Sequence, residues 1–353
     1  MRKKVLVVDD SAFMRKMISD FLSEDDRLEV IGTARNGVDA IDKIKQLKPD
    51  CVTMDIEMPV MNGLDALAII MKECPVPVVI LSNLTKEGAD HTIRSMQYGA
   101  VDFLLKPSGA ISLDLHKVKK ELIEKVVQAS YVNPLKLNSI TRDHNIIPKS
   151  GNDDQITPMK KNRLKKIVLI GTSTGGPRAL QQVLQNIPST IEAPILIVQH
   201  MPPGFTKSLA ERLNHLSEIT VKEAQDGEIL KNGTAYIAPG GSHLQIKKME
   251  RCLVAQIDET IPPRNNHRPS VDVLFESARQ CIDYAKIAVV MTGMGSDGAQ
   301  GLKLLKRSGN TNVIAESQES SIIFGMPKAA IQTGYVDQVV HLNDIASTIM
   351  KYM

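Results

Sequence analysis

Short apolar runs alternate with helix-spaced apolar residues along most of this chain, and this alternation constrains the fold more than any other feature. In the first 131 residues, five runs of strand length are separated by segments whose apolar residues recur every three or four positions. Such βα units build a doubly wound parallel sheet with helices on both faces. We predict the strands at residues 4–8, 29–33, 50–54, 76–81 and 101–105.

Charged and polar residues follow these predicted strands, at the sheet edge where open α/β folds bind their ligands. Asp9 and Asp10 end the first strand, Asp55 the third and Ser82 the fourth, and Lys106 follows the fifth. Three carboxylates at one edge repel each other unless a hard cation lies among them, and Mg²⁺ prefers such oxygen ligands. Asp55 can then accept a phosphoryl group, while Lys106 neutralises its charge and Ser82 donates a hydrogen bond. The alternative is a set of solvated strand-end residues that share no ligand.

The segments that carry these residues resemble a response-regulator receiver domain, and they read VLVVDDS, MDIEMPVMNGLDAL, ILSN and GAVDFLLKP. The resemblance implies a flavodoxin-like (βα)5 receiver over residues 1–131, with Mg²⁺ required for its phosphorylation. It implies that Asp55 is the phosphoacceptor and a metal ligand. Asp10 would bind the metal directly, Asp9 more distantly, and Glu57 through its backbone carbonyl.

The same resemblance assigns the parts of a receiver that respond to phosphorylation. Ser82 falls at the switch hydroxyl, Phe103 at the switch aromatic and Lys106 at the phosphate-sensing lysine. Asn62 stands where many receivers have Asp. Because that side chain is not a metal ligand, we expect the departure to leave phosphorylation unchanged.

A polar, irregular stretch at residues 132–166 separates the two blocks. It is rich in Asn, Asp, Gly and Pro, and its few apolar residues keep no period, which is typical of a linker of moderate flexibility. Its basic end is either a docking patch for an acidic surface or ordinary solvated linker, and composition favours the linker. The basic residues are Lys160, Lys161, Arg163, Lys165 and Lys166.

The second block, residues 167–353, again alternates strand-like runs with helical patterns. We predict strands at 167–170, 193–198 and 287–292, and helices at 205–216 and 271–281. The segment 220–258 has a more β-like pattern, interrupted by Asp-Gly, Asn-Gly and Gly-Gly turn signals. The pattern therefore predicts a second doubly wound parallel sheet with a β-hairpin insertion.

The run IVLIGTSTGG, at residues 167–176, places Ser173 on a tight turn between a predicted strand and a predicted helix. Its G-x-S-x-G spacing is that of a nucleophile elbow, where glycines leave room for a substrate beside the hydroxyl. A match of five residues arises often by chance, and serine in a Gly-rich turn is commonly only a turn former. The catalytic interpretation therefore needs a base and an acid nearby.

His200 and Asp297 each lie just past a predicted strand, at the edge that carries Ser173. This placement meets the requirement of a triad, in which a histidine takes the hydroxyl proton and an acid fixes the other imidazole nitrogen. The order Ser, His, Asp differs from that of α/β-hydrolases and indicates another fold. Spacing alone does not exclude three competitors, which are His243, His267 and Asp272.

The GMGSDG segment also fits a dinucleotide fingerprint. Gly293, Gly295 and Gly298 have G-x-G-x-x-G spacing after a predicted strand, and Glu316 ends the next strand. Against this, Asp297 would place a negative charge beside the pyrophosphate, at a helix N-terminus that favours anions.

The second block resembles the chemotaxis protein-glutamate methylesterases, the CheB family. The matching segments are GTSTGG, IVQHMPPGFTKSLAERLN, AYIAPGGSH, NNHRPSVDVLFESA, MTGMGSDGAQG and IFGMPKAAI. The resemblance implies that Ser173 is the nucleophile, His200 the base and Asp297 the orienting acid. Met294 falls where a backbone N–H contributes to the oxyanion site. It also implies a catalytic domain over residues 167–353 that needs no cofactor for ester hydrolysis.

The two resemblances together imply a phosphorylation-activated esterase. Its substrates would be γ-glutamyl methyl esters on chemoreceptors, its phosphodonor a chemotaxis histidine kinase, and its role chemotactic adaptation. Glutamine deamidation passes through the same tetrahedral intermediate and stays open. The alternatives are a phosphorylation-dependent binding module without catalysis and a transcriptional regulator.

Composition excludes several other classes of function. The net charge of +3 and the absence of Trp give no basis for nucleic-acid binding. No apolar run approaches the roughly 20 residues of a membrane span, so we expect no membrane insertion. Four scattered cysteines without a C-x-x-C pair predict a reduced, cytoplasmic location.

Overall fold

A computed structural model describes residues 1–106, 113–138, 164–250 and 252–353. Residues 139–163, which form most of the predicted linker, lie outside the described residues, as do three of its five basic residues. Lys165 and Lys166 lie within the described part and begin a strand of the second sheet.

The first sheet has five parallel strands in the order β2-β1-β3-β4-β5, as the alternating pattern predicts. Its central strands are buried on both faces because helices cover each side. The strands are β1 (Lys3–Val8), β2 (Leu28–Ala34), β3 (Cys51–Asp55), β4 (Val78–Ser82) and β5 (Asp102–Leu105). The helices are α1 (Ala12–Ser23), α2 (Gly37–Leu47), α3 (Gly63–Glu73), α4 (Lys86–Gln97), α5 (Leu113–Ala129) and α6 (Leu135–Asn138).

Polar residues at the strand ends begin the following helices. Ser11 accepts a hydrogen bond from Met14 N at the start of α1, and Thr85 caps α4 in the same way. Asn62, the departure from the receiver pattern, caps α3 by accepting from Asp65 N at 2.9 Å. An aspartate would make the same cap, which explains why asparagine is tolerated here.

The second sheet has seven parallel strands in the order β14-β13-β12-β6-β7-β9-β8. The predicted hairpin is present as a separate antiparallel pair, β10 and β11. The strands are β6 (Lys165–Thr172), β7 (Ile195–Gln199), β8 (Thr220–Glu223), β9 (Thr234–Ile237), β10 (His243–Lys248), β11 (Leu253–Asp258), β12 (Tyr284–Val290), β13 (Thr311–Glu316) and β14 (Gln338–Val340).

The helices of this second part are α7 (Gly176–Leu184), α8 (Phe205–Leu216), α9 (Val271–Ser277), α10 (Ala299–Arg307), α11 (Met326–Gln332) and α12 (Leu342–Lys351). A short 3-10 helix, Ala278–Gln280, extends α9. Among the described helices, none is both long and apolar enough to cross a lipid bilayer.

The two sheets belong to one packed body because α4 of the first part lies against α7 and α8 of the second. The strands β12, β6 and β7 are neighbours in the second sheet, so the loops that follow them meet at one edge. Ser173, Asp297 and His200 lie on these three loops.

Candidate active site

Ser173 occupies a tight turn between β6 and α7. Its N–H donates to Thr292 O at 3.0 Å, and its carbonyl accepts from Gly176 N at 2.8 Å and Gln199 Nε2 at 2.9 Å. Gly175 has a φ of +78°, and a Cβ at Gly176 would lie 2.0 Å from Gln199 Oε1. Only glycines fit these two positions. The backbone of the nucleophile candidate is therefore fixed from three sides.

His200 and Asp297 are hydrogen-bonded, with 2.8 Å between Nε2 and Oδ2. Both side chains are almost fully buried. With Asp297 ionised, Nε2 carries the proton, and Nδ1 is the nitrogen left to accept one. Nδ1 is buried and has no hydrogen-bond partner among the described residues. Within that same part of the chain, no hydrogen bond joins Ser173 to His200, so the structure pairs the candidate base with its acid and leaves the nucleophile adjacent.

The Asp297 carboxylate is held at the N-terminus of α9. Oδ1 accepts from Ser270 Oγ at 2.8 Å and Oδ2 from Val271 N at 2.7 Å, and further donors are Asp272 N and Gly298 N. Burial alone would raise the pKa of Asp297, but His200 and these donors outweigh it and hold the pKa well below its usual range. The acid is therefore ionised at neutral pH.

The two competing histidines support this pair. His267 stacks on His200, with ring centroids 3.8 Å apart and an interplanar angle of 10°. Burial, together with the charge of His200, lowers the pKa of His267 to about 4, so it is neutral at pH 7. His243 is fully buried, accepts from Ser270 N at 3.2 Å through Nδ1 and contacts Pro262 O through Nε2.

The third competitor, Asp272, is equally buried, and its Oδ1 accepts from Gly301 N at 2.6 Å, which anchors the first turn of α10. Sequence reasoning missed Ser270, which donates to Asp297. Its position directly before a predicted helix marks it as a helix cap, but no sequence pattern points from that cap to an acid on another loop.

The loop 293–298 lies beside Ser173. Gly293 O accepts from Gly325 N and Met326 N, and a Cβ at Gly293 would lie 2.8 Å from the Cβ of Ser173. The N–H of Met294 donates to no acceptor among the described residues. This arrangement leaves a backbone donor next to the serine, as an oxyanion site requires.

The contacts of Glu316 count against a dinucleotide site. Its side chain is fully buried, and Oε2 accepts from Thr292 N at 2.8 Å. Asp297 is occupied by His200 and by the backbone of α9, and its Oδ1 accepts from Gly298 N at 3.1 Å. Glu316 is closed off by burial and Asp297 by its donors, so neither carboxylate is open to a ribose hydroxyl, and the glycine-rich turn holds an acid where a pyrophosphate would bind.

The acidic residues of the first sheet form a compact cluster. One carboxylate oxygen from each of Asp9, Asp10 and Asp55 lies within 4.8 Å of the others. Lys106 Nζ lies 2.8 Å from Asp9 Oδ2 and 2.7 Å from Asp55 Oδ2. Burial raises the pKa of Asp55 to about 6, although Lys106 opposes the shift. Three hard oxygen donors this close together fit Mg²⁺. Glu57 is adjacent, since its N–H donates to Asp55 Oδ1 at 3.3 Å.

Ser82 and Phe103, the predicted switch hydroxyl and switch aromatic, lie on the neighbouring strands β4 and β5. Ser82 Oγ accepts from Thr92 Oγ1 at 2.7 Å and contacts Gly88 O at 3.2 Å, which ties β4 to α4. The Phe103 ring stacks on Phe205, the first residue of α8, with centroids 4.8 Å apart. The switch aromatic is therefore in direct contact with the second domain.

A second contact between the two domains involves Thr174, the residue that follows Ser173. Thr174 Oγ1 donates to Asp102 Oδ2 at 2.5 Å, and Lys125 Nζ donates to Asp102 Oδ1 at 2.9 Å. A third contact involves Gln97, the last residue of α4, whose Nε2 donates to Gln181 Oε1 at 2.9 Å. The first domain thus covers the face of the second domain on which Ser173 lies.

Comparisons with known proteins agree with both halves. Residues 168–349 match the family model for the CheB methylesterase, and residues 5–116 match that for the response regulator receiver domain. A relative from Geobacillus kaustophilus, named protein-glutamate methylesterase/protein-glutamine glutaminase, is 59% identical over 351 residues, or 99% of this chain and 98% of the relative. The Bacillus subtilis protein of the same name is 51% identical over 348 residues, which are 98% of this chain and 97% of the relative.

A solved structure resembles the second half. The crystal structure of the Thermotoga maritima CheB methylesterase catalytic domain is 46% identical and covers 53% of this chain and 98% of that chain, with a TM-score of 0.51. Full-length relatives, both family models and the α/β fold lead to one conclusion. The chain belongs to the CheB methylesterase family, as a hydrolase that carries a response-regulator receiver domain.

Proposed function

We propose that this chain is a phosphorylation-activated protein-glutamate methylesterase that hydrolyses γ-glutamyl methyl esters on chemoreceptors for chemotactic adaptation. The observation that carries the proposal is the buried His200–Asp297 pair, 2.8 Å apart, on loops that meet the turn of Ser173. The names of the full-length relatives support the substrate class. We propose three parts, which are a receiver at 1–131, a linker at 132–166 and a catalytic domain at 167–353.

The chemistry follows from the roles of three side chains. The Ser173 hydroxyl attacks the ester carbonyl while His200 Nδ1 takes its proton, and Asp297 stabilises the imidazolium that forms. The Met294 N–H stabilises the oxyanion of the tetrahedral intermediate. His200 then returns the proton to the departing methoxide, which leaves as methanol. Water, deprotonated by His200, hydrolyses the acyl-enzyme to glutamate and free serine.

An amide substrate would follow the same steps and release ammonia instead of methanol. The relatives' name, which includes protein-glutamine glutaminase, supports glutamine deamidation as a second reaction of the same site. The proposed triad needs no cofactor for either reaction.

Control of this activity would run through Asp55. Asp9, Asp10, Asp55 and the Glu57 carbonyl would hold Mg²⁺, which when bound supplies positive charge for phosphoryl transfer from a chemotaxis histidine kinase. Two contacts between the domains, Thr174 to Asp102 and Phe103 to Phe205, support a cover that loosens after phosphorylation. The cytoplasm is the compartment where receptor, kinase and this enzyme would meet.

The test is methanol release from methyl-esterified chemoreceptor membranes, with and without acetyl phosphate and Mg²⁺. We expect release to rise with the phosphodonor, to disappear in Ser173→Ala and to lose its phosphodonor response in Asp55→Asn. Ser296→Ala, on the loop 293–298 beside the site, is the matched serine control and should retain activity. Release that persists in Ser173→Ala would contradict the proposed nucleophile, and release that ignores the phosphodonor would contradict the proposed control.

A further inference from the structure

Arg178 is a buried cation for which the described part of the chain supplies no counter-ion. The residue is only 8% exposed, and its Nη1 is fully enclosed with no hydrogen-bond partner among the described residues. Among the described residues, no carboxylate forms an ion pair with it. Burial lowers the pKa of Arg178 to about 10, which leaves the guanidinium charged at neutral pH. An enclosed, unpaired charge is unfavourable, and proteins seldom keep one without a use for it.

Helical geometry shows which face of α7 carries this arginine. Leu180, Val183 and Leu184 are fully buried in the core below the helix. At about 100° per residue, Arg178 lies on the opposite, outward side of α7. An outward-facing side chain is buried only when another part of the molecule covers it.

The receiver domain lies against this helix through α4, while α8 and α12 of the second domain pack against it as well. Gln181, one turn after Arg178, is hydrogen-bonded to Gln97 of the receiver. Thr174, one turn before it, is hydrogen-bonded to Asp102. Because residues on both flanks of Arg178 are hydrogen-bonded to the receiver, movement of the receiver would open this part of α7.

The same surface already holds a carboxylate. Asp102 of the receiver places Oδ2 on the Thr174 hydroxyl, directly beside Ser173. The first turn of α7 has no acidic residue, so the positive end of its dipole is not neutralised from within the helix. Asp102 pairs with Lys125 of its own domain, and among the described residues it forms no ion pair with Arg178.

We propose that Thr174, the N-terminal turn of α7 and Arg178 form a subsite for a carboxylate, namely an acidic side chain that flanks the esterified glutamate of the substrate. The receiver covers this subsite and fills part of it with Asp102. The inference rests on the proposed methylesterase function and adds a specificity for acidic sequence around the ester.

The test measures KM and kcat for methanol release by the full-length chain, activated with acetyl phosphate and Mg²⁺. Two methyl-esterified receptor preparations are compared, identical except that the residue beside the ester is Glu in one and Ala in the other, because the proposed glutaminase reaction would turn Gln into Glu. Because a hydrogen bond to a charged group is lost, we expect the wild type to show a KM about tenfold lower for the Glu preparation. Arg178→Gln should raise the KM for the Glu preparation about tenfold, leave kcat unchanged and abolish the preference.

Two further variants separate recognition from structure. Arg178→Lys keeps the charge and should retain part of the preference. Arg212→Gln removes another arginine of the same interface, one that already donates to Gln97, and should keep the full preference. Removal of an unpaired buried charge should also raise the melting temperature of unphosphorylated Arg178→Gln.

Each outcome has one meaning for the subsite. A preference for the Glu preparation that survives in Arg178→Gln overturns the subsite while leaving the methylesterase intact. Wild-type protein that releases no methanol from either preparation overturns the methylesterase function, and the subsite with it.

Discussion

Two buried carboxylates near Ser173 have opposite protonation behaviour. Asp297 accepts hydrogen bonds from His200, one hydroxyl and several backbone N–H groups, and its pKa lies well below the usual range. Glu316 is as deeply buried, but burial dominates and raises its pKa to about 7. One Glu316 oxygen has no hydrogen-bond partner among the described residues. The hydrogen-bond donors around each carboxylate, and not its depth of burial, therefore decide whether it is ionised or tends to stay protonated.

The proposed role of Asp297 gives a prediction for a single residue. Asp297→Asn keeps the shape of the side chain but removes the negative charge that selects the His200 tautomer and stabilises its imidazolium. We expect kcat for methanol release to fall by about 10³- to 10⁴-fold with little change in KM. Steady-state assays on phosphorylated protein measure both constants. Asp272→Asn, which alters a neighbouring buried acid outside the pair, is the control, and a loss below tenfold in Asp297→Asn would contradict the triad.

The individual residues of the site differ in how far sequence can predict them. Ser173, His200 and Asp297 each follow a strand of one parallel sheet, so the strand pattern alone places them at one edge. The stacking of His267 on His200 depends on the path of a loop with no regular period. That Arg178 finds no partner among the described residues depends on how other helices pack around α7. Periodicity carries no information on either.

At the scale of elements, Glu316 joins the ends of β12 and β13. Its carboxylate accepts from Thr292 N, and Thr292 O in turn accepts from Ser173 N. The turn of the candidate nucleophile is therefore connected to β13 through two hydrogen bonds. Because the folded state favours protonated Glu316, its pKa exceeds the unfolded value of about 4.3.

This shift predicts a pH dependence of stability. Between about pH 4 and pH 7 the folded state binds more protons at Glu316 than the unfolded state, so the free energy of unfolding falls as pH rises through this window. Glu316→Gln keeps an acceptor for Thr292 N and does not titrate. We expect it to be more stable than the wild type by roughly 1–3 kcal/mol at pH 8, with a smaller gain at pH 5.

Chemical denaturation at the two pH values measures this difference. Glu319→Gln, at an exposed position three residues away, is the control and should leave the pH dependence unchanged. An equal gain for Glu316→Gln at both pH values would mean that Glu316 does not titrate as described.

The elements themselves were largely predictable, and the exceptions have physical causes. The segment 220–258 was predicted as β-like with a hairpin, and β10 and β11 form that hairpin. The turn signals could not show that β8 and β9 instead join the large sheet in parallel. The helix predicted at 271–281 ends its regular turns at Ser277 and continues as a 3-10 helix to Gln280. Over a single turn, a spacing of three or four residues between apolar positions does not distinguish the two kinds of helix.

At the scale of the whole molecule, a polar contact between the domains can be altered without changing the candidate catalytic residues. Such a change should shift the balance between the closed arrangement, in which the receiver covers the catalytic domain, and an open one. Gln97 on α4 donates to Gln181 and accepts from Arg212 Nε at 3.2 Å. Gln97→Lys would place a cation beside Arg212 and weaken closure, whereas Gln97→Glu would form an ion pair and strengthen it. We expect the unphosphorylated rate to rise about two- to fivefold in the first variant and to fall similarly in the second.

Methanol release without phosphodonor measures this effect. Gln46→Lys makes the same substitution at an exposed position of α2 and should leave the rate unchanged. After phosphorylation all variants should approach the wild-type rate. A change of equal size before and after phosphorylation would show that Gln97 acts on catalysis and not on closure.

The hydrogen bond between Thr174 and Asp102 has a consequence for how the phosphorylation site and the candidate catalytic site affect each other. If the receiver and the receptor helix compete for one surface, their binding free energies are linked, and linkage is reciprocal. A receptor that displaces Asp102 must favour the phosphorylated receiver to the same extent that phosphorylation favours the receptor. The substrate would then act as an effector of its own enzyme, because an esterified receptor would prolong the phosphorylated state that promotes removal of its methyl groups.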